Sequence, residues 1–319
     1  MALEIGPGDE VICPSFTFVS TANAIVRQRA KPVFCDVCED TLNLDPTDVA
    51  AKLTSRTRAV IVVHYGGIAC DMDSFQKLAR RHRLAIVEDA AHAIGAKYRG
   101  RHLGTLGDMG CYSFHETKNL TCGEGGALLT DDRVHAARAE IIREKGTDRA
   151  AFLRGEVNKY TWQSEGSSYL LSEVLAAVLA AQWKKLARIT RRRREIFQRY
   201  MERLAPLQRA GDLTLPFVPA GCETNGHLFY VRLPSERARN RCLANLRGRG
   251  IGAAFHFVPL HSSPYGRQFG IQPGALPVTE RASRTLLRLP LYPQLRNRDV
   301  DFISTSLEAV LRKGVRHGS

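Results

Sequence analysis

The segment Ser113–Thr130, SFHETKNLTCGEGGALLT, sets one long amine, Lys118, among small and hydroxyl-bearing residues. An apolar run ends just before it at Phe114, and Gly123, Gly125 and Gly126 follow it as a turn. A lysine on a loop is ordinarily a solvated cation. Hemmed in at a sheet edge it loses hydration, which favours the neutral amine and makes it a nucleophile or a base. Asp89, ending the apolar run LAIVED, poses a similar choice. It can cap a helix over the following AAHAIG, or it can hold positive charge on a bound group. Cys35 and Cys38 form a C-x-x-C, but no second pair follows at zinc-site spacing, so no metal site is expected.

The elements that must position these residues alternate in type. DEVICP, KPVFCDV, RAVIVVHY and RLAIVEDAAH read as strands, and the β-branched run in the third marks a strand buried on both faces. Between them STANAIVRQ, DPTDVAAKL and DMDSFQKLARRH read as helices, the second with Pro46 in its first turn. Strand, helix, strand at this rhythm predicts an α/β fold built on a mostly parallel sheet. Ligands of such sheets gather at the carboxyl ends of the strands. That rim would carry Asp36, His64, Asp89 and His92, with Ser113 and Lys118 beyond them. From Ser172 to Leu204 the pattern is helical, and after Pro206 it becomes irregular, with a strand in GHLFYVRL and a helix in ERARNRCLANLRGRG. A large domain over residues 1–200 and a smaller C-terminal α/β domain over 201–319 are expected.

Composition narrows the function classes. The 319 residues suffice for a sizeable core, and no apolar run approaches the roughly 20 residues of a membrane helix. The N-terminus MALEIGPGDE has neither a basic start nor an apolar signal core. The eight cysteines lack a framework spacing, which predicts reduced thiols and a cytoplasmic location. The net charge is +14, densest at Arg188 and Arg191–Arg194. Leu186, Ile189, Ile196, Phe197 and Tyr200 recur there at near-helical spacing, so the arginines are expected on the solvated side of a helix. No interleaved aromatics or zinc-finger spacing support nucleic-acid binding.

Lys118, Asp89 and Ser113 together suit one cofactor. Pyridoxal 5'-phosphate (PLP) needs a lysine for its Schiff base and a carboxylate that keeps its ring nitrogen protonated. Its phosphate needs hydroxyls or backbone N–H groups. One rim could supply all three.

The same residues carry a family resemblance. VEDAAHAIGA followed by GCYSFHETKNLTCGEGG resembles the sugar aminotransferases of the DegT/DnrJ/EryC1/StrS family, and GDEVICPSFTFVSTANAI, AKPVFCDV and HFVPLH extend the likeness along nearly the whole chain. The resemblance implies the PLP-dependent transferase fold type I. It implies that Lys118 is the Schiff-base lysine, that Asp89 pairs with the ring nitrogen and that Ser113 binds the phosphate. His92 then lies beside the phenolic oxygen. Phe18 falls where an aromatic stacks on the ring, with core packing as the alternative. His261 matches a histidine near the sugar nucleotide, with an ordinary turn histidine as the alternative. Lysine at 118, where some relatives carry histidine and dehydrate sugars, implies amine transfer. SFHETKN, AEIIREKGTDRAAFLRGEVNKYTW and GSSYLLSEVLAAVLAAQ are similar, more narrowly, to transaminases that make dTDP-4-amino-4,6-dideoxygalactose for enterobacterial common antigen.

The resemblance further implies ping-pong transfer of an amine from L-glutamate to the 4-keto carbon of a dTDP-linked 4-keto-6-deoxy sugar. It also implies a homodimer with shared sites. Two departures stand against it. Ser168 and Leu170, in GSSYLL, stand where the family carries G-x-N-Y-R, whose asparagine reaches the partner's cofactor phosphate. The family also carries a longer segment before GDEV, so a shortened N-terminus is expected. That motivates the rival expectation of a weakly active or inactive remnant acting as a cofactor binder or partner subunit.

Overall fold

The structure, a computed structural model, describes residues 1–315. In chain order the strands are β1 (Glu10–Pro14), β2 (Lys31–Cys35), β3 (Thr57–Val63), β4 (Ala85–Asp89), β5 (Lys97–Tyr98) and β6 (Arg101–His102). There follow β7 (Met109–Ser113), β8 (Gly126–Leu129), β9 (Cys222–Glu223), β10 (Phe229–Arg232) and β11 (Leu286–Leu289). Six of them form one sheet in the order β2-β1-β3-β4-β7-β8. Every neighbouring pair is parallel except β7 with β8. Parallel neighbours need crossovers; helices Val19–Arg27, Pro46–Ala51 and Met72–His82 supply those from β1 to β4, and the segment 90–108, which carries β5 and β6 and no helix, joins β4 to β7. Asp45 and Asp71 cap the latter two helices by accepting the N–H of Thr47 and Ser74. This mostly parallel sheet flanked by helices agrees with the PLP-dependent transferase fold type I that the resemblance implies.

Register levels the strand ends. Val63 pairs with Asp89, and Asp89 with Cys111, so β3, β4 and β7 finish on one line. Beneath that line Glu88 is fully buried. Its carboxylate accepts N–H groups from Gly104 at 2.7 Å, Leu106 at 2.5 Å and Gly107 at 2.6 Å, and takes a bond of 2.8 Å from His64 Nε2. His64 Nδ1 accepts the Cys70 N–H, which puts the ring proton on Nε2 and aims it at Glu88. Burial alone would push the Glu88 carboxyl up, but the bonds from His64, Gly104 and Gly107 outweigh it and hold the group below the usual range. The clamp lets the 103–107 loop lie against β7. A Cβ on Gly110 would stand 2.0 Å from the Gly104 carbonyl oxygen, so only glycine fits there.

A second core gathers Leu213, Phe229, Val231, Leu246, Leu287 and Leu307 around the antiparallel pair β10–β11. Ile196, Phe197 and Tyr200 already belong to it, on the 24-residue helix Leu186–Arg209 that runs through the expected boundary at residue 200. That helix corrects one expectation. Arg188 and Arg191 are exposed, but Arg193 is buried, donating to the carbonyls of Gly226, His227 and Leu291. Arg194 donates to Thr224 and Gly95, and Arg192 to Leu295. The run therefore ties the second core's loops to the first. Burial lowers the Arg193 guanidinium to about 10, still charged at neutral pH. Among the described residues no helix is long and apolar enough to cross a membrane.

Glu88→Gln keeps the side chain's shape but turns an acceptor oxygen toward donors into a donor itself. It should lower stability by about 2–4 kcal/mol, the range for breaking a buried charge-assisted cluster. Because the folded-state pKa is depressed, this contribution is whole above the usual carboxylate range and is lost as pH falls through the folded value. Urea titrations of both proteins should show the gap narrowing on acidification. A gap that is small at neutral pH, or that widens in acid, would contradict the clamp.

Candidate active site

Lys118 hangs over the level strand ends from the loop that joins β7 to β8. Two backbone bonds close the loop, Phe114 N–H to Gly125 and Cys122 N–H to Phe114. Phe114, Leu120 and Cys122 anchor it by packing with Ile94. The Lys118 side chain is half-buried, and its amine makes no hydrogen bond among the described residues. Burial lowers its pKa from the ordinary lysine value; the charge of Asp89 opposes this and that of Arg288 adds to it.

Asp89 ends β4 beside it. No helix follows over residues 90–96, so the capping alternative falls away. Instead Oδ2 accepts the Thr21 hydroxyl at 2.7 Å, and Oδ1 accepts the Ala91 N–H at 3.2 Å. Thr21, braced by Thr17 at 3.0 Å, lies in the first turn of helix Val19–Arg27. Phe18, the N-cap of that helix, is 59% exposed, which excludes core packing and leaves its ring free for a ligand. Ser113 is half-buried, and among the described residues its Oγ meets only the His115 N–H, at 3.4 Å.

His92 follows Asp89 by three residues. Its Nδ1 accepts the Gly66 N–H at 3.4 Å, which leaves the proton on Nε2. Its ring stacks on His227 at 4.2 Å between centroids and lies near His256 at 6.4 Å. His227 Nδ1 bonds Asn119 Oδ1 at 2.9 Å, and His256 Nδ1 bonds the Tyr65 hydroxyl at 3.0 Å. Burial pushes all three imidazoles down, and Lys118 and Arg288 reinforce it. At neutral pH they are uncharged. Asn225 fixes this wall by donating to the carbonyls of His92 and Ile94 and accepting the His227 N–H. Gly67 makes room for it, since a Cβ there would stand 2.0 Å from Asn225 Oδ1.

Other rim residues do different work. Asp36 accepts the N–H groups of Val278 and Thr279 at the start of helix Pro277–Thr285, an anion at a helix N-terminus. His64 is committed to Glu88. His261 is fully buried, bonded to Ser15 Oγ at 2.7 Å and to Glu280 at 3.4 Å, so neither ring nitrogen is left for a sugar nucleotide. Ser168 lies on the exposed stretch 160–165 and 167–170. Cys35 and Cys38 are free thiols that burial pushes up, Cys38 to about 12. A groove of about 900 Å³ is lined by Phe197, Met201 and Phe217 and by none of the residues around Lys118.

The donor set fits PLP: an unpaired amine of lowered pKa, a carboxylate braced at the next strand end, a free hydroxyl, and an imidazole that can donate from Nε2. Thr21, His227, His256 and Asn225 went unnoticed in the sequence. For Thr21 a signal existed, the hydroxyl cluster SFTFVST, whereas the others lie in segments with no local motif.

Fold and site together define a PLP-dependent aminotransferase. The model of the DegT/DnrJ/EryC1/StrS aminotransferase family matches residues 1–308, and the chain belongs to that family. It is 38% identical over 316 residues to the spore coat polysaccharide biosynthesis protein SpsC of Bacillus subtilis, covering 97% of this chain and 80% of that protein. Among solved structures it superimposes on DesV of S. venezuelae with a TM-score of 0.89 and 37% identity, covering 97% of this chain and 80% of the other. The aminotransferase TlmJ of Streptoalloteichus hindustanus gives 0.89 and 36%, with 98% and 82% covered. The narrower likeness to dTDP-4-amino-4,6-dideoxygalactose transaminases is not among these matches.

The charge on Asp89 favours the protonated form of Lys118, so Asp89→Asn should lower the lysine pKa further and raise the neutral fraction. In cofactor-free protein at one pH near neutrality, acetic anhydride should then label Lys118 faster in the variant, as followed by peptide mass spectrometry. Slower or unchanged labelling would show that carboxylate and amine do not share a site.

Proposed function

We propose that this sugar aminotransferase moves an amine from L-glutamate to the 4-keto carbon of a dTDP-linked 4-keto-6-deoxy sugar, for a surface polysaccharide. The observation that carries it is the unpaired, partly desolvated Lys118 amine beside braced Asp89. Lys118 and Asp89 act in the chemistry, while His92, Ser113 and Phe18 hold the cofactor. When bound, PLP supplies the electron sink that stabilises negative charge on the donor's Cα. Lys118 Nζ, biased toward its neutral form, would take the proton from that Cα and pass it on to the cofactor carbon that keeps the amine. Asp89, held by Thr21 and Ala91, keeps positive charge at the ring nitrogen. His92 donates from Nε2 to the phenolic oxygen, and the Ser113 hydroxyl donates to the phosphate. SpsC, by its name a polysaccharide biosynthesis protein, supports the destination of the product. A nucleotide-sugar substrate and reduced thiols suit the cytoplasm.

The larger and smaller domains meet within helix Leu186–Arg209 on this reading. A homodimer is supported by exposed Leu128, Leu153, Trp162, Tyr169, Leu170 and Val174, all within the 128–174 part of the chain that also holds Ser168. Such residues on a free surface favour a subunit contact. Elution at twice the chain mass, with Trp162→Glu eluting as a monomer, is the expected result; a wild-type monomer would overturn it.

Lys118→Ala should leave no covalent cofactor to be trapped by borohydride. Amine transfer from L-glutamate should fall by at least about a hundred- to ten-thousandfold, the share of general acid–base catalysis alone. Asp89→Asn should retain the cofactor but transfer slowly, since each unit of lost ring-nitrogen pKa is worth about 1.4 kcal/mol. Substantial turnover by Lys118→Ala would sink the assignment. Conversion of a dTDP-4-keto-6-deoxy sugar to its amine, read by mass, tests the substrate.

A further inference from the structure

The end of the sheet away from Lys118 gathers charge of its own. Parallel strands put their carboxyl ends on one rim, where Asp89 lies, and their amino ends on the opposite one. Each crossover helix returns the chain to that far end. Helix Val19–Arg27 packs on one face of the sheet with Val11 and Ala59, and helix Met72–His82 on the other with Ile12 and Val60. Their C-terminal ends therefore straddle the sheet. The first presents Arg27 and Arg29, the second Arg80, Arg81 and Arg83, all exposed. Among the described residues none of these guanidiniums makes a hydrogen bond or an ion pair. Asp9 and Glu10, where β1 begins, are already held by Arg58, Arg56 and Lys31.

The dipole at a helix C-terminus favours a cation in the last turn, which accounts for Arg27, Arg80 and Arg81. It does not account for Arg29 and Arg83. Both follow their helices with a left-handed backbone, at φ 59° and 55°, where glycine is the residue without steric cost. Arginine at both places keeps charge on this end despite that cost. None of the large exposed apolar side chains falls within residues 27–31, 52–58 or 77–84, so this end has nothing to insert into hydrocarbon or to stack on a base.

We propose that this end of the sheet docks reversibly, by charge alone, on a membrane surface of anionic phospholipid. The proposal concerns where the protein works and is independent of the substrate proposed above. Its arginines stand on both faces of the sheet, so they cover an area, and a charged leaflet offers anions over an area. A nucleic acid offers phosphates along a strand and gains from aromatic side chains that stack its bases, which this end lacks. Contact of this kind stays at the headgroups and weakens with salt. The docked protein turns the Lys118 rim away from the lipid, and the cleft stays open to solutes.

Co-sedimentation of the full chain with vesicles is the test. Vesicles of phosphatidylglycerol and phosphatidylcholine in equal parts should carry the protein down at about 0.15 M salt, where charge acts over about 8 Å. They should release it at about 1 M, where the reach is about 3 Å. Vesicles of phosphatidylcholine alone should not bind it. Each arginine near an anionic leaflet contributes about fivefold, so the double variant Arg80→Gln, Arg81→Gln should bind about 25-fold more weakly. Arg237→Gln, Arg241→Gln removes the same charge from the exposed side of helix Glu236–Gly248 in the second core. It should lose less than about threefold, below the worth of one arginine. Equal losses from the two double variants would show that the net charge of the chain, and not this end, drives binding, and would overturn the proposal. Failure of wild type to sediment with the acidic vesicles would overturn it too. A DNA duplex added at equal phosphate concentration should leave the protein on the vesicles. Displacement by the duplex, with duplex binding weakened only in Arg80→Gln, Arg81→Gln, would assign this end to nucleic acid and sink the membrane reading.

Discussion

Two consecutive acids at the end of β4 divide the labour on which the rest depends. Successive side chains of a strand point to opposite faces of the sheet. Glu88 enters the buried face, where three backbone N–H groups and His64 consume both oxygens. Asp89 emerges on the other, where one oxygen is braced by Thr21 and the other by Ala91. The first carboxylate fixes the 103–107 loop and, through it, the seat of β7. The second is presented to a ligand at the level line of Val63, Asp89 and Cys111. Lys118 depends on this line as well, because its loop departs from β7 and returns as β8. A slip of one residue in β4 would exchange the two acids and leave a buried cluster without its acceptor.

The other half of the site arrives from far away in sequence. Asn225 bonds the carbonyls of His92 and Ile94 across more than a hundred residues, and Tyr65 meets His256 across a longer gap still. Arg193 and Arg194 hold the intervening 224–227 segment by its carbonyls, so that His227 can stack on His92. A guanidinium suits this task, since its planar donors satisfy several carbonyls of an irregular loop at once. Much of the basic character of helix Leu186–Arg209 is therefore internal scaffolding.

What was legible in the sequence followed from periodicity and strand ends. The β-branched run of β3, the capped helix after Asp45 and the positions of Asp89, Ser113 and Lys118 each follow from local pattern. Asp36 and His64 were read onto the rim because strand-end position alone does not reveal that a residue's partners lie elsewhere: helix Pro277–Thr285 for Asp36 and Glu88 for His64. Arg193 shows a subtler failure. It lies three residues before Ile196 and four before Phe197, on the helix's own buried stripe, so its spacing argued for burial while its charge argued for solvent. Tertiary context settled the conflict, because loop carbonyls waited where apolar contacts were expected. His227, His256 and Arg288 had no local signal, since their place in the cleft follows only from what they meet.

The electrostatics of the cleft follow from the same placement. Asp89 is the carboxylate that counters Lys118, while Arg288 and the buried Arg193 add positive charge and three imidazoles stay neutral. Were those histidines charged, they would compete with Arg288 for any anion and suppress the Lys118 amine further. Kept neutral by burial, they give a wall that orients through Nε2 and ring stacking and adds no charge of its own. On the proposed function two anionic substrates enter in turn, and this arrangement suits both. A few fixed charges set where each anion can lie, and neutral groups shape the space between them. The chain's net charge of +14 acts at longer range, drawing both anions toward the cleft without choosing between them. Choice between them is left to the groups that line the cleft, where shape and hydrogen bonds act at short range.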